Sequence, residues 1–298
     1  MTDFAVTGKK RSGKGLFCAG LIRDALKAGR RVATNMDIFP EHMLPANSKA
    51  TLYRLPDCPT KEDLDAIGRG YDGDVIEDEG NGLIILDEAS KFFNARAWGD
   101  KTRQPLLDWL IHSGKQRWDV YYQMQGLEQV DKQLRSTQVE YHVMVKRMDK
   151  WPIPFLTPLA KIFGINLRFP KMHVGIVKHG CDLHAMVVDR KFYKALELRQ
   201  AYDTEQVFLD RDHPEAVGLH SVLSAWHVKG RYLPAPPGLF WRFVYGVIGK
   251  DWTLQPATPA RSIKPKLPIV AKLSRLPPDQ ALRHWKRLER LGAFAVTD

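Results

Sequence analysis

Residues 4–16 read FAVTGKKRSGKGL: a short apolar run, a glycine-bounded polar loop, then the start of an apolar periodic segment. Gly8, Gly13 and Lys14 have the spacing G-x-x-x-x-G-K of a phosphate-binding loop. The chemistry needs these residue types. Glycines let successive backbone N–H groups curl round an anion. The following helix points its positive end at the same place, and a lysine adds a point charge for the β- and γ-phosphates. The loop from Gly8 through Lys9, Lys10, Arg11, Ser12, Gly13, Lys14, Gly15 and Leu16 is therefore the expected nucleotide site. One residue departs from the pattern. The position after the lysine normally carries a Ser or Thr hydroxyl for Mg²⁺, and here it is Gly15. Binding is thus better supported than hydrolysis.

Working outward, LFCAGLIRDALKAG (16–29) has a helical stripe of Phe17, Leu21, Ala25 and Ala28, with Ile22 and Leu26 beside it and Gly29 as its stop. RRVATNMDI (30–38) reads as a second strand. The resulting β-loop-α-β start is the unit of a parallel sheet covered by helices. Residues 39–60 read as loop with an edge strand at LYRL, and 61–70 as a short helix ended by Gly68 or Gly70. The acidic stretch 71–82 reads as an exposed loop.

The second informative stretch is GLIILDEAS (82–90). Four consecutive apolar residues suit a strand buried on both faces. It delivers Asp87 and Glu88 at its C-terminal end. Paired with a phosphate loop, the first carboxylate suits Mg²⁺ and the second suits a water-orienting base. Read alone, they are two acidic residues where a strand meets solvent.

PLLDWLIHSGKQRWDVYYQMQ (105–125) reads as a helix with inner face Leu106, Trp109, Leu110 and Ser113, then a strand. Its end offers Gln123 or Gln125 as a γ-phosphate sensor, or simply two outward glutamines. A short helix at 130–136 and a strand at 141–148 follow. Arg135 and Arg147 are either arginines for a neighbouring subunit's nucleotide or plain surface arginines. WPIPFLTPL (151–159) marks a break, and 172–180 another strand. HAMVVDRKFYKAL (184–196) reads as strand or turn running into helix. His173, His179 and His184 lack a carboxylate or cysteine cluster to complete a metal site. Beyond the linker 233–238, LFWRFVYGVIG (239–249) is apolar and aromatic but too short to span a bilayer, which needs about 20 residues. It suits a membrane interface, a cap on the core, or a subunit contact. A basic proline-rich linker (259–278) and an amphipathic helix (278–294) with Leu282, Trp285, Leu288 and Leu291 close the chain.

With 298 residues, 44% of them hydrophobic, the chain is globular, and its net charge of +11 implies an anionic partner. Its 3 cysteines, far apart, exclude a disulfide framework and fit a reducing compartment. No signal peptide and no transmembrane helix is read.

These stretches together resemble the Zot-like (zonula occludens toxin N-terminal domain) family, and within it the inner-membrane assembly ATPases of filamentous bacteriophages. The likeness runs in order through VTGKKRSGKG, ATNMDI, RLPDCP, DAIGRG, the long stretch from NGLIILDEAS to KQRWDV, VDKQLRS, PKMHVGIVKHG, AYDTEQ and KGRYLP, over about residues 4–234. It implies an ATPase that drives assembly and extrusion of virions. Gly8, Gly13 and Lys14 match the Walker A positions, and Asp87 and Glu88 the Walker B pair, with Lys14 and Glu88 catalytic, Asp87 on the metal, and ATP and Mg²⁺ as cofactors. Gly15 does not match the family's Ser/Thr, which leaves Asp87, Thr7 or water to hold the cation. The resemblance further implies a homo-oligomer at the cytoplasmic face of the host inner membrane. Its expected partners are coat protein, other assembly proteins and an outer-membrane export channel. Such proteins usually carry a transmembrane helix after the ATPase domain, and the apolar 239–249 stands near its place.

The expected architecture is an α/β P-loop NTPase three-layer sandwich with a mainly parallel sheet. The ATPase domain covers 1–235, with a sub-boundary near 150, and a basic C-terminal extension covers 236–298. Three other readings remain open: a nucleotide kinase, since those enzymes also carry Gly after the loop lysine; a nucleotide-dependent scaffold without turnover; and a DNA translocase, which the positive charge allows but does not favour.

Overall fold

The computed structural model describes residues 2–45, 47–73, 80–91, 103–129, 139–149, 169, 172–182, 185–194, 196–229 and 238–248. The helical pattern at 130–136, Arg135, the proline-rich 151–159, His184, and both tail segments lie outside these residues. The chain divides into two compact units, Met1–Ala235 and Pro236–Asp298.

The first unit is built on one sheet of 9 strands. In chain order these are β1 (Asp3–Thr7), β2 (Val32–Thr34), β3 (Thr51–Arg54), β4 (Gly82–Leu86), β5 (Trp118–Met124), β6 (Tyr141–Arg147), β7 (His173–His179), β8 (Val187–Tyr193) and β9 (His220–Leu223). Their spatial order is β8-β7-β6-β1-β5-β4-β2-β3-β9. The six strands from β6 to β3 run parallel, and β7, β8 and β9 pair antiparallel at the flanks. All six parallel strands therefore end on one edge of the sheet, the place where such folds bind ligands.

Helices cover both faces. On one face α1 (Lys14–Lys27) buries Phe17, Ile22 and Leu26 against Val6, Leu83, Ile85 and Val143. On the other, α2 (Lys61–Ala66) and α3 (Arg103–Ile111) bury Leu64, Leu106, Trp109 and Leu110 against Ala5, Ile84, Leu86 and Trp118. Strand β4 shows why its sequence is continuously apolar: Leu83 and Ile85 enter one core, Ile84 and Leu86 the other. The fold is thus α/β and three-layered, as the strand-loop-helix-strand start implies. A short helix α4 (Ala225–Lys229) follows β9. The described part of the second unit is one helix, α5 (Leu239–Ile248), with Leu239, Phe240, Trp241 and Phe243 exposed.

Four local readings change. The buried stripe of α1 runs through Leu16, Cys18, Ala19 and Ile22 as well as Phe17, Ala25 and Leu26, and leaves Ala28 exposed. Strand β2 stops at Thr34, because Thr34 Oγ1 accepts the Met36 N–H at 3.1 Å and turns the chain. Strand β3 is not an edge: β9, from 170 residues later in the chain, closes over it, Leu52 opposite Val222. Residues 187–193 are strand throughout, because the β7 ladder from His173 opposite Tyr193 outweighs a local helical pattern.

Arg54, at the end of β3, is fully buried. Its Nε donates to Asp37 Oδ1 at 2.8 Å and its Nη2 to Asp57 Oδ1 at 2.6 Å, and Nη1 donates to the Leu55 carbonyl. Removing one member of such a group strands the others without water. Arg54→Met is therefore expected to lower unfolding free energy by about 3–5 kcal/mol, read from urea titration.

Asp3, buried at the start of β1, has its carboxyl pushed up from 3.8 to about 7 by burial, with the nearby Asp119 charge adding to it and a Tyr122 hydrogen bond opposing it. The folded chain then binds a proton that the unfolded chain has released, so stability falls as pH rises from about 4 to about 7. The slope is at most about 1.4 kcal/mol per pH unit. Asp3→Asn flattens it, measurable as melting temperature against pH.

Candidate functional site

The loop between β1 and α1 is held by steric fit and by two clamps. A Cβ on Gly8 would stand 2.6 Å from both Ser12 Oγ and the Val145 carbonyl, so only glycine lets the loop close this tightly. Gly13 sits at φ 98°, and a Cβ there would meet the His173 ring at 2.5 Å. The clamps come from the β7–β8 hairpin. His173 Nδ1 lies 2.7 Å from the Ser12 carbonyl, which can only accept, so Nδ1 carries the proton. Tyr193 donates its hydroxyl to the Gly13 carbonyl at 3.0 Å. The two rings stack, centroids 5.4 Å apart. With Gly13 at its N-cap, α1 has no side-chain cap on its opening N–H groups.

Arg11, Ser12, Gly13, Lys14, Gly15 and Leu16 line one cleft of about 370 Å³ with Asp87 and Glu88. Leu16 also belongs to the core beneath. Gly8 contributes through its carbonyl, which accepts from Lys14 Nζ at 2.9 Å. Lys9 and Lys10 are exposed and do not line the cleft. Burial lowers the Lys14 pKa, while Asp87, then Cys18 and Glu88, pull it back up.

Asp87 is held by its backbone. Its N–H donates to Asn35 Oδ1 at 2.7 Å, and its carbonyl accepts from Asn35 Nδ2 at 2.9 Å. Asn35 is fully buried just past β2, and its own carbonyl accepts from Gln206 Nε2 at 2.8 Å. The Asp87 carboxylate accepts the Glu88 N–H at 2.7 Å and the Gln123 side-chain amide. Its pKa is pushed up to about 6 by burial, with Glu88 adding to the rise; the Glu88 N–H, Lys14 and Gln123 oppose it. Glu88 is exposed at the cleft with φ 48°, a left-handed backbone uncommon for such a residue.

The ambiguity at the end of β5 resolves by where the strand stops: Gln123, within the strand, turns inward onto Asp87, and Gln125, past its end at Met124, is exposed. The hydroxyl of Thr7 is engaged with His142 Nε2 at 2.6 Å. Arg147 pairs with Asp149 at its Nε, 3.0 Å away. Among the described residues no group of three His, Cys, Asp or Glu forms a metal cluster, His173 and His179 included.

The far wall of the cleft could not be read from local pattern. It is the segment around Arg199, Tyr202, Gln206 and Phe208. Two backbone bonds and one to a carboxylate tie it across the ends of β2 and β3: Phe39 N to Ala201 O at 2.8 Å, Asp203 N to Asp37 O at 3.0 Å, and Leu209 N to the Asp57 side-chain Oδ2 at 2.9 Å. Tyr202 also forms an isolated antiparallel bridge with Ile38. The stretch AYDTEQ carried a resemblance but no chemistry by itself.

The Zonular occludens toxin (Zot) family profile matches residues 2–182. The Gene 1 protein of Enterobacteria phage M13 is 39% identical over 236 residues, 78% of this chain and 66% of that protein. The Gene 1 protein of Salmonella phage IKe is 39% identical over 213 residues, 70% of this chain and 58% of that protein. This chain therefore spans about two thirds or less of the length of these relatives. Among solved structures, the N-terminal domain of zonular occludens toxin from Neisseria meningitidis aligns with TM-score 0.42 at 16% identity, over 68% of this chain and 98% of that one. The DNA-packaging ATPase of Sulfolobus Turreted Icosahedral Virus aligns with TM-score 0.32 at 12% identity, over 65% and 97%. On the family match and the phage relatives, the chain belongs to the zonular occludens toxin (Zot) family.

Proposed function

We propose that this chain binds ATP with Mg²⁺ and hydrolyses it to drive assembly and extrusion of filamentous phage particles at the host inner membrane. One observation carries the reading: a glycine loop and uncapped helix start face, across one cleft, an acidic pair at the end of a buried strand. The cleft fits a triphosphate. Gly8 and Gly13 let the loop close tightly, since a Cβ on either would strike Ser12 and the Val145 carbonyl or the His173 ring. Lys14 is half-buried and, among the described residues, bonded to the Gly8 carbonyl, which it can leave for phosphate oxygens.

The residues divide the work. Backbone N–H groups from Gly13 onward and Lys14 hold the phosphates and take up charge as it develops in phosphoryl transfer. Asp87, in the cleft and facing Lys14, is the carboxylate for the cation, which supplies charge neutralisation when bound with nucleotide. Glu88, exposed at the cleft mouth, orients and deprotonates the attacking water. Gln123 reports phosphate occupancy through its bond to Asp87. β5 stands between β1 and β4, so this amide reaches both the loop side and the acidic side.

The similarity to phage Gene 1 proteins supports the assembly role. We place the working form as a homo-oligomer on the cytoplasmic face of the inner membrane, with coat protein, other assembly proteins and an outer-membrane channel as partners. The exposed aromatics of α5 support a membrane-facing surface. No helix among the described residues is long and apolar enough to cross a membrane.

The test is ATP binding and Mg²⁺-dependent hydrolysis by the full chain beside Lys14→Ala and Glu88→Gln. Lys14→Ala is expected to lose binding. Glu88→Gln is expected to bind normally and lose about 10²-fold or more in turnover. Binding without any turnover, even on membranes with coat protein, replaces the motor with a nucleotide-dependent scaffold.

A further inference from the structure

Gly15 stands where a phosphate loop ordinarily carries the hydroxyl that helps hold the cation. The structure shows what excludes a side chain there. A Cβ placed on Gly15 would lie 2.9 Å from Tyr202 Cε2 and 3.3 Å from Cζ and from the Tyr202 hydroxyl oxygen. The phenol ring thus lies directly on the first turn of α1. A serine at 15 would collide with it, and the ring's hydroxyl oxygen lies 3.3 Å from the Cβ position.

Tyr202 is held in that position from both sides. It bridges to Ile38, Ala201 before it is fully buried, and Asp203 after it donates its N–H to Asp37 at 3.0 Å. The turn leading into it, Leu196–Gln200, packs on α1, with Leu198 buried against Gly20. The ring is half-buried and lines the same cleft as Lys14, Asp87 and Glu88. Among the described residues its hydroxyl has no hydrogen-bond partner.

We propose that Tyr202 supplies, from the far wall of the cleft, the hydroxyl that the phosphate loop lacks at Gly15, and so completes the protein's hold on the cation of a bound nucleoside triphosphate. The inference rests on the nucleotide reading above. It accounts for the departure at Gly15 by exchange: the loop gives up a side chain so that a tyrosine from nearly 190 positions away can occupy its place. Thr7, a hydroxyl expected from the sequence to help hold the cation, is engaged with His142. Burial raises the Tyr202 phenol to about 12, so it stays protonated and neutral like the serine or threonine it replaces. A neutral hydroxyl oxygen is a suitable hard donor to Mg²⁺, directly or through the water that this ion retains.

The experiment measures affinity of the full chain for ATP with Mg²⁺ and with EDTA, for wild type, Tyr202→Phe, Tyr202→Ala, Gly15→Ser and the double variant Gly15→Ser/Tyr202→Ala. Wild type is expected to bind more tightly with Mg²⁺. Tyr202→Phe keeps the ring and its packing, and is expected to lose about tenfold of that Mg²⁺ enhancement with the EDTA affinity unchanged. Gly15→Ser alone is expected to weaken binding in both conditions through the collision. The double variant moves the hydroxyl back to the loop and is expected to recover the enhancement that Tyr202→Ala lacks. Full Mg²⁺ enhancement in Tyr202→Phe overturns the assignment and leaves the ring as packing only, even if Tyr202→Ala folds poorly. Wild type that binds no ATP in either condition overturns the nucleotide reading, and this inference with it.

Discussion

The site depends on one buried amide. Asn35 donates to and accepts from the backbone of Asp87, so the ends of β2 and β4 are locked where their ladder stops. Its own carbonyl takes Gln206, and its Nδ2 also reaches the Asp57 carbonyl at 3.2 Å. One side chain thus joins the acidic strand end, the far wall and the loop after β3. A buried amide is costly unless its groups are paired, and pairing them all restricts the geometry to one arrangement. The Arg54 group continues this frame, since Asp37 and Asp57 each accept a side-chain bond from Arg54 while serving the segment that carries Tyr202.

The cleft sets two opposed charges in partial burial. Lys14 is pushed toward neutrality by burial and drawn back by Asp87; Asp87 is pushed toward protonation and drawn back by Lys14. Each therefore gains from an additional charged ligand of opposite sign, which is the condition a phosphate and its cation meet together. The β7–β8 hairpin performs a mechanical task in the same design. By binding the carbonyls of Ser12 and Gly13 it fixes the two residues that lead into α1.

Much of this was legible in residues. The run 83–86 is apolar at every position, and the two-sided burial of β4 follows directly from it. Gly8, Gly13 and Lys14 announced a loop by their spacing, and the two glycines sit where a Cβ would collide. Other parts were not legible, for physical reasons. His173 invites comparison with His179 and His184, yet its partner is a carbonyl at position 12, chosen by strand register. Residues 187–193 carry a mixed local pattern that only the neighbouring ladder decides. LYRL has an edge strand's shortness and polarity, and becomes interior once β9 arrives from residue 220 onward.

The sequence by itself determined the layer architecture and the strand that opens the loop, and it singled out Lys14, Asp87 and Glu88, which line one cleft, because these rest on local spacing and on hydrophobic runs. Only the tertiary structure decided which glutamine of β5 turns to Asp87, which residues hold the loop, and why position 15 has no side chain. Those depend on close approach between segments apart in the chain, 36 residues for Gln123 and Asp87 and more than 160 for the others, where a single ring or amide excludes or completes a contact that no local pattern records.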